Sequence, residues 1–256
     1  MKRLTLCADD FGQSPEISSG ILGLVECGRL QAVSCMTESP HWPAAAGHLL
    51  ALDGGHEVGL HFNLTHPFNQ PEKPVGRIMV SAWLRMIDPA NIEKRFDEQW
   101  QAFTRAYGRE PDYVDGHQHV HAFPVIREVV AARLKELAPR AWVRSLDVRV
   151  DSPKAGILAW ASHGLTKVLA SEGLATNRSF AGLRPYSPVF DFRKAFREWM
   201  GNSADGTLLM CHPGLESQDR TDPIAACRPL ELAYLQSDQF SADSREMGVS
   251  WSPLDG

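Results

Sequence analysis

Four groups of polar residues in this sequence stand where apolar, strand-like runs end. They are the pair Asp9-Asp10, His61, the segment 115–121 (Asp-Gly-His-Gln-His-Val-His) and His212, which is followed by Pro-Gly. Carboxylates and imidazoles gathered at strand ends from distant parts of a chain are what metal-assisted hydrolysis on a parallel α/β scaffold requires. The spacing therefore predicts a hydrolytic site at one edge of a sheet.

The pair Asp9-Asp10 places two carboxylates side by side. Adjacent carboxylates repel each other, so a bound cation or a shared proton is the usual way to keep both. Neighbours on an extended chain point to opposite sides, which suits a division of labour: one aspartate ligates a metal and the other takes a proton from water. An Asx turn or a helix cap is the structural alternative for this pair.

Histidines are the second type of candidate ligand in this sequence. Alternate positions of an extended chain share a face, so His117, His119 and His121 could all reach one cleft, with one of them structural. Imidazole is the commonest protein ligand of divalent transition metals. An isolated histidine such as His61 is more often a satisfied core residue, and the pattern leaves both roles open for it.

Two further residues are candidates for catalysis. His212 follows the apolar run 207–211 and is placed to act as a general acid across a cleft; the alternative is a buried histidine bonded to a backbone carbonyl. Arg144 ends the run Trp-Val-Arg and could hold a carboxylate such as Asp9 through a bidentate pair, or be a surface residue. The chain has no P-loop, G-x-S-x-G or G-x-G-x-x-G motif.

Composition is that of an ordinary globular protein. The 256 residues are 43% hydrophobic and 22% charged, enough for one large α/β domain or two small ones. A formal net charge of −5 gives no reason to expect nucleic acid or an anionic membrane as a partner, and no apolar run approaches the roughly 18 residues of a membrane span. Five cysteines without a C-x-x-C pair indicate reduced thiols and a cytoplasmic location.

Strand-like and helix-like segments alternate along the chain. This order predicts a parallel sheet with helices outside, open or closed into a barrel, in a single domain spanning 1–256. The clearest helix opens at Asp88-Pro89 and ends at Gly108, with an apolar stripe that we expect to pack on the core. The run 64–78 carries three prolines and is expected to be a long loop. The expected strands are 2–8, 31–37, 57–63, 113–117, 141–145, 175–180 and 207–211.

Five motifs in order carry a family resemblance. They are A-D-D-F-G at 8–12, G-L-H-x-N-L-T at 59–65, D-G-H-Q-H-V-H at 115–121, H-P-G at 212–214 and R-P-L-E-L at 228–232. From residue 4 to about residue 236 the chain resembles the YdjC-like carbohydrate deacetylases, the family that contains chitooligosaccharide deacetylase. The resemblance implies an α/β fold that is barrel-like and of irregular TIM type, related to the polysaccharide deacetylases.

The resemblance also implies roles for individual residues. The metal ligands fall on Asp10, His61 and His117, the catalytic base on Asp9 and the catalytic acid on His212. Family members are associated with magnesium or zinc; two imidazoles and one carboxylate favour zinc or a similar transition metal over magnesium. The implied reaction is removal of the acetyl group from an N-acetylated sugar, such as a chitooligosaccharide or another N-acetylglucosamine compound.

Two other functions remain open at this stage. One is a non-catalytic sugar-binding protein with a structural metal, which would need a fourth protein ligand. The other is a glycosidase that uses Asp9 and another carboxylate without a metal. The loop at 66–71 is less glycine-rich than the family pattern, so a chitobiose specificity is not carried over. The sequence leaves the oligomeric state open, with a homo-oligomer among the alternatives.

Overall fold

A curled parallel β-sheet organises the protein. The computed structural model describes residues 1–52, 55–68, 70, 73–150, 153–217 and 222–254. The strands in these ranges are β1 (Lys2–Phe11), β2 (Ala32–Cys35), β3 (Glu57–Phe62), β4 (Tyr113–Gly116), β5 (Trp142–Val143), β6 (Ser179–Ala181), β7 (Thr207–Cys211) and β8 (Val249–Trp251). The helices are α1 (Pro15–Glu26), α2 (Trp42–Leu50), α3 (Val75–Trp83), α4 (Pro89–Tyr107), α5 (Ile126–Leu137), α6 (Pro153–Ala161), α7 (Leu165–Glu172), α8 (Phe192–Asn202), α9 (Arg228–Gln236) and α10 (Asp238–Glu246).

The strand order explains how distant motifs meet. The order is β5-β4-β3-β2-β1-β7-β6, with β8 beside the start of β1, and every pairing between these strands is parallel. Isolated parallel bridges, Val143 with Thr176 and Val148 with Phe180, connect the two edges of the sheet. The sheet therefore curls on itself, which confirms the predicted barrel-like α/β fold. All carboxyl ends of the strands face one end of this curl.

Local sequence accounts for these elements. From Leu4 onward every residue of β1 is buried, as expected for a parallel strand covered on both faces. Helix α1 begins as predicted, because the Ser14 side chain accepts a hydrogen bond from the Ile17 amide and Pro15 occupies the first helical position. Helix α4 ends at Tyr107 and is capped by Gly108, whose φ of 80° suits glycine, and its apolar stripe is buried as predicted.

One hydrophobic cluster includes side chains of every strand from β1 to β8. This continuity is what the single-domain prediction for residues 1–256 requires. All five cysteines are free thiols, as the sequence predicted, and Cys27 is the exposed one. In the described ranges no helix combines the length and apolar character that crossing a membrane would need.

The structure corrects several expectations. The run 64–78 is not a loop throughout, because α3 begins at Val75 directly after a proline; Asn69, Pro71 and Glu72 of that run lie outside the described residues. The sequence reading did not predict α3, α10 or β8. Strand β4 ends at Gly116, and the chain then forms a short 3-10 helical segment, His117–Ala122, rather than an extended run.

Candidate active site

Both aspartates of the first motif lie at the carboxyl end of β1, where the strand is irregular. Its pairing with β2 shifts register between Ala8 and Phe11, and Asp10 has a φ of 70°. The Gln13 amide then donates to the Asp10 carbonyl oxygen at 3.1 Å, closing a turn. Because of this irregularity the chain does not alternate strictly here. Both aspartates are buried: 2% of the surface of Asp9 and 1% of the surface of Asp10 is exposed.

Asp10, His61 and His117 meet at this end of the sheet. The Oδ1 atom of Asp10 lies 3.0 Å from Nδ1 of His117 and 3.5 Å from Nε2 of His61. Their potential ligand atoms are all within 4.8 Å of one another, and all three residues are buried. One carboxylate and two imidazoles at this spacing fit a divalent transition metal, and three protein ligands are typical of catalytic sites that keep a position open.

Two members of this group, His61 and Asp10, are each held by a further side chain behind them. His61 Nδ1 lies 2.7 Å from Oδ1 of Asp115, its neighbour in the β3–β4 register. Arg228, from α9, donates to Oδ2 of Asp10 at 2.8 Å and to Asp222 at 2.6 Å. Carboxylates bonded to the far nitrogen of a ligating histidine orient the ring and increase its basicity. These partners were not predicted from the sequence. The signal for Asp115 is that, like His61, it follows an apolar strand-like run, and the two strands pair so that these residues are neighbours.

Asp9 is held by Arg144. The guanidinium donates to both carboxylate oxygens of Asp9, at 2.7 and 2.6 Å, so the bidentate pair suggested by the sequence is present and Arg144 is fully buried rather than on the surface. Arg144 also contacts Asp115 and the Cys7 thiol. Cys7, Asp9 and Asp115 form a second compact group of possible ligands, but the arginine already supplies the positive charge there.

His212 follows β7 on the other side of Asp9. Its Nε2 lies 4.0 Å from Oδ2 of Asp9, and its backbone amide donates to Glu231 at 2.6 Å. Glu231 in turn forms an ion pair with Arg184. The ring of Tyr186 lies edge-on to the His212 imidazole, with the centroids 5.6 Å apart. The bond that fixes His212 thus involves its backbone and leaves the imidazole facing Asp9.

The expectation that three alternating histidines share a face was wrong. Gln118 and His119 adopt left-handed backbone angles, with φ of 51° and 61°, so the chain turns instead of extending. Only His117 joins Asp10. His121 Nε2 bonds to the Arg144 carbonyl oxygen at 3.0 Å, and His119 lies edge-on to Phe180. His121 is therefore the structural member of the set, and it supports the backbone of Arg144.

Burial and neighbouring charges set the ionisation of the site. Burial would raise the pKa of Asp10, but Arg228, His117 and His61 together outweigh it and hold that pKa well below its usual range. Burial also acts to raise the pKa of Asp9, and Arg144 together with His61 lowers it. Burial would lower the pKa of His61, yet Asp115 and Asp9 raise it to about 10. Burial lowers the pKa of His212. The carboxylates are thus ionised at neutral pH, and cation binding would displace a proton from His61.

Comparison with known proteins gives this geometry a context. A family model described as YdjC-like protein matches residues 3–246. A chitooligosaccharide deacetylase of Yersinia pestis (strain Pestoides F) is 29% identical over 249 residues, which cover 92% of this chain and 91% of the relative. The same values hold for a chitooligosaccharide deacetylase of Yersinia pseudotuberculosis serotype O:3 (strain YPIII).

Solved structures share the fold. A protein assigned to cellobiose-phosphate cleavage in Enterococcus faecalis V583 superposes with a TM-score of 0.73 at 17% identity, over 99% of this chain and 97% of that one. A family 4 acetyl xylan esterase from Clostridium thermocellum, solved with a cobalt ion, has a TM-score of 0.55 at 12% identity, over 99% and 88%. At these identities the likeness describes architecture alone.

Proposed function

Because this chain belongs to the YdjC-like protein family, we propose that it is a metal-dependent hydrolase that removes the acetyl group from an N-acetylated sugar. The observation that carries the proposal is the convergence of Asp10, His61 and His117 beside Asp9 and His212, at the end of the sheet where strand carboxyl ends meet. The names of the relatives support sugar deacetylation as the reaction.

The proposed metal ligands are Asp10, His61 and His117. A bound divalent ion would supply Lewis-acid polarisation of the acetyl carbonyl and would acidify a water molecule. The donor set favours zinc or a similar transition metal over magnesium, which prefers oxygen ligands. Asp115 and Arg228 would keep the His61 ring and the Asp10 carboxylate in place through the bonds described above.

Asp9 and His212 are the proposed proton-transfer groups. Asp9 is ionised because Arg144 lowers its pKa, so it can accept the proton of the attacking water. His212 would donate a proton to the departing sugar nitrogen. The 4.0 Å between Oδ2 of Asp9 and Nε2 of His212 supports an assignment in which both groups act on one substrate group. In this proposal Arg144 acts on the reaction through Asp9 and Asp115, which it contacts.

The proposed substrates are N-acetylglucosamine compounds, with chitooligosaccharides first because the relatives reported above are named chitooligosaccharide deacetylases. The proposal includes a cytoplasmic location, which the five free cysteines support. The test is an acetate-release screen over N-acetylated mono- and oligosaccharides, with EDTA and with metals added back. We expect acetate release that EDTA abolishes and a transition metal restores.

The same screen separates the competing functions. A glycosidase would release sugar without acetate and would tolerate EDTA. A sugar-binding protein with a structural metal would release neither, and EDTA would lower its melting temperature. Either result would refute the deacetylase proposal, because a catalytic ion held by three side chains should be needed mainly for turnover.

A further inference from the structure

Three side chains outside the proposed catalytic set form a closed circuit around His212. Glu231 accepts the His212 backbone amide at 2.6 Å and forms an ion pair with Arg184. The Arg184 guanidinium lies over the Tyr186 ring, 4.9 Å from its centroid, and Tyr186 lies edge-on to the His212 ring at an interplanar angle of 88°. We call Arg184, Tyr186 and Glu231 the His212 frame.

The frame contacts the histidine at two different points. Glu231 fixes the backbone of His212, whereas Tyr186 contacts its ring. A backbone bond alone leaves the side chain free to rotate about its two torsions, and an edge-on aromatic contact restricts that rotation. The two contacts together therefore specify where the imidazole nitrogen points.

The frame is anchored in the fold. Arg184 and Glu231 are 4% and 1% exposed. Removing one member of such a buried ion pair would leave the other charge buried without a partner, so the two side chains hold each other in place. The loop that carries Arg184 and Tyr186 starts at Gly182, which has a φ of 109° and where any Cβ would collide with the Met210 carbonyl oxygen of β7. This loop therefore packs closely against β7, the strand that directly precedes His212.

Tyr186 differs from its partners because 37% of it is exposed. Its ring contacts His212 and Arg184, and part of the residue remains accessible to solvent. Burial and Glu231 raise the pKa of its hydroxyl, and Asp10 and Asp9 add to this increase. The tyrosine is thus a partly exposed residue in contact with the buried His212.

We infer that Tyr186 is a positioning residue that acts through His212: its ring, held by Arg184 and Glu231, keeps the imidazole aligned with the departing nitrogen. This inference rests on the proposed function, in which His212 is the proton donor. General acid catalysis contributes about 10²–10⁴-fold, and it requires the donor to be within hydrogen-bond reach. Loss of alignment should therefore lower kcat and leave substrate binding largely intact.

The test compares Tyr186→Leu with Tyr186→Phe in the full chain. Tyr186→Leu is expected to lower kcat about tenfold with KM changed less than threefold, as for a partial loss of general acid catalysis. Tyr186→Phe, which keeps the ring, should retain the larger part of kcat. The matched control is Tyr234→Leu, because Tyr234 lies on the same helix as Glu231 but bonds to Asp243 instead. The control should lower thermal stability without a selective fall in kcat.

A second readout does not depend on turnover. The NMR signal of the His212 Hβ protons, assigned by its absence in His212→Gln, reports the side-chain torsion through its coupling to Hα, and this coupling should become averaged in Tyr186→Leu and stay unchanged in Tyr234→Leu. The coupling is the criterion, because loss of the Tyr186 ring current would change the chemical shift even if the imidazole stayed in place. An unchanged coupling in Tyr186→Leu, a rise in KM alone, or an equal kcat loss in the Tyr234 control would overturn the inference. If the wild type releases no acetate from any sugar, the proposed function fails, and the NMR comparison still decides whether Tyr186 orients His212.

Discussion

Arg144 holds Asp9 through two parallel hydrogen bonds of 2.7 and 2.6 Å, with the arginine side chain fully buried. The same guanidinium contacts Asp115, which bonds to His61. One arginine thus connects the proposed base to the outer partner of a proposed metal ligand. Its position comes from the β4–β5 pairing, since the Arg144 amide donates to the Val114 carbonyl oxygen at 3.1 Å.

Replacing Arg144 with methionine should destabilise the protein severely. The change leaves Asp9 and Asp115 buried without their counter-charge, and breaking a buried ion pair in this way costs about 3–5 kcal/mol. Urea denaturation would measure the free energy of unfolding. Arg109→Met is the matched control, because Arg109 pairs with Asp112 at the surface and should lose about 1 kcal/mol or less. Equal losses in the two variants would contradict the role of Arg144.

Asp9→Asn should lower kcat by about 10²–10⁴-fold, the usual contribution of a general base, and leave metal content unchanged. The amide that replaces the carboxylate keeps the shape of the side chain but cannot accept the water proton. Acetate release and the metal content of the purified variant are the two measurements. A variant with bound metal and full activity would rule out Asp9 as the base.

Asp115→Asn should weaken metal binding by about 10–100-fold, the usual effect of losing an outer partner of a ligating histidine. The cause is the bond between Asp115 and His61 Nδ1, which directs Nε2 of that ring toward Asp10. A competition titration with a chelating dye would measure the affinity. Asp97→Asn, which disturbs only the Asp97–Arg133 pair between α4 and α5, should bind metal as the wild type does. Unchanged affinity in Asp115→Asn would exclude this role.

His121 should make the fold sensitive to acid. Burial lowers its pKa from 6.5 to about 4, so the unfolded chain binds a proton between these pH values and the folded chain does not. The contribution of the neutral His121 to the free energy of unfolding is complete above pH 6.5. It falls by on the order of 3 kcal/mol as the pH decreases toward 4. His121→Gln should therefore show a shallower fall in the free energy of unfolding between pH 6.5 and 4. An identical slope in the two proteins would contradict this assignment.

Much of the site could be predicted because strand ends are visible in a sequence. The buried runs that end before Asp9, His61 and His212 indicate parallel strands, and parallel strands bring their carboxyl ends to one place. The family resemblance then implied which of these residues would meet. The alternation argument failed at 117–121, because the left-handed backbone of Gln118 and His119 leaves no mark in the residue types.

Contacts between distant elements could not be predicted in the same way. Arg228 reaches Asp10 across 218 positions, and only the docking of α9 beside α1 brings them together. Helix α3 was missed because the prolines before it resemble loop sequence, although a proline often precedes a helix directly. In both cases the missing information is tertiary packing, which no local pattern contains.

The irregular end of β1 has a consequence for how the protein assembles. Its two consecutive carboxylates depend on different arginines, one delivered just after β5 and the other by α9. Until both of these segments have docked, at least one negative charge would sit in a dry interior with nothing to neutralise it. Completion of the fold and completion of the reaction centre are therefore one cooperative event, and a chain arrested before α9 docks should hold neither a stable core nor a competent site.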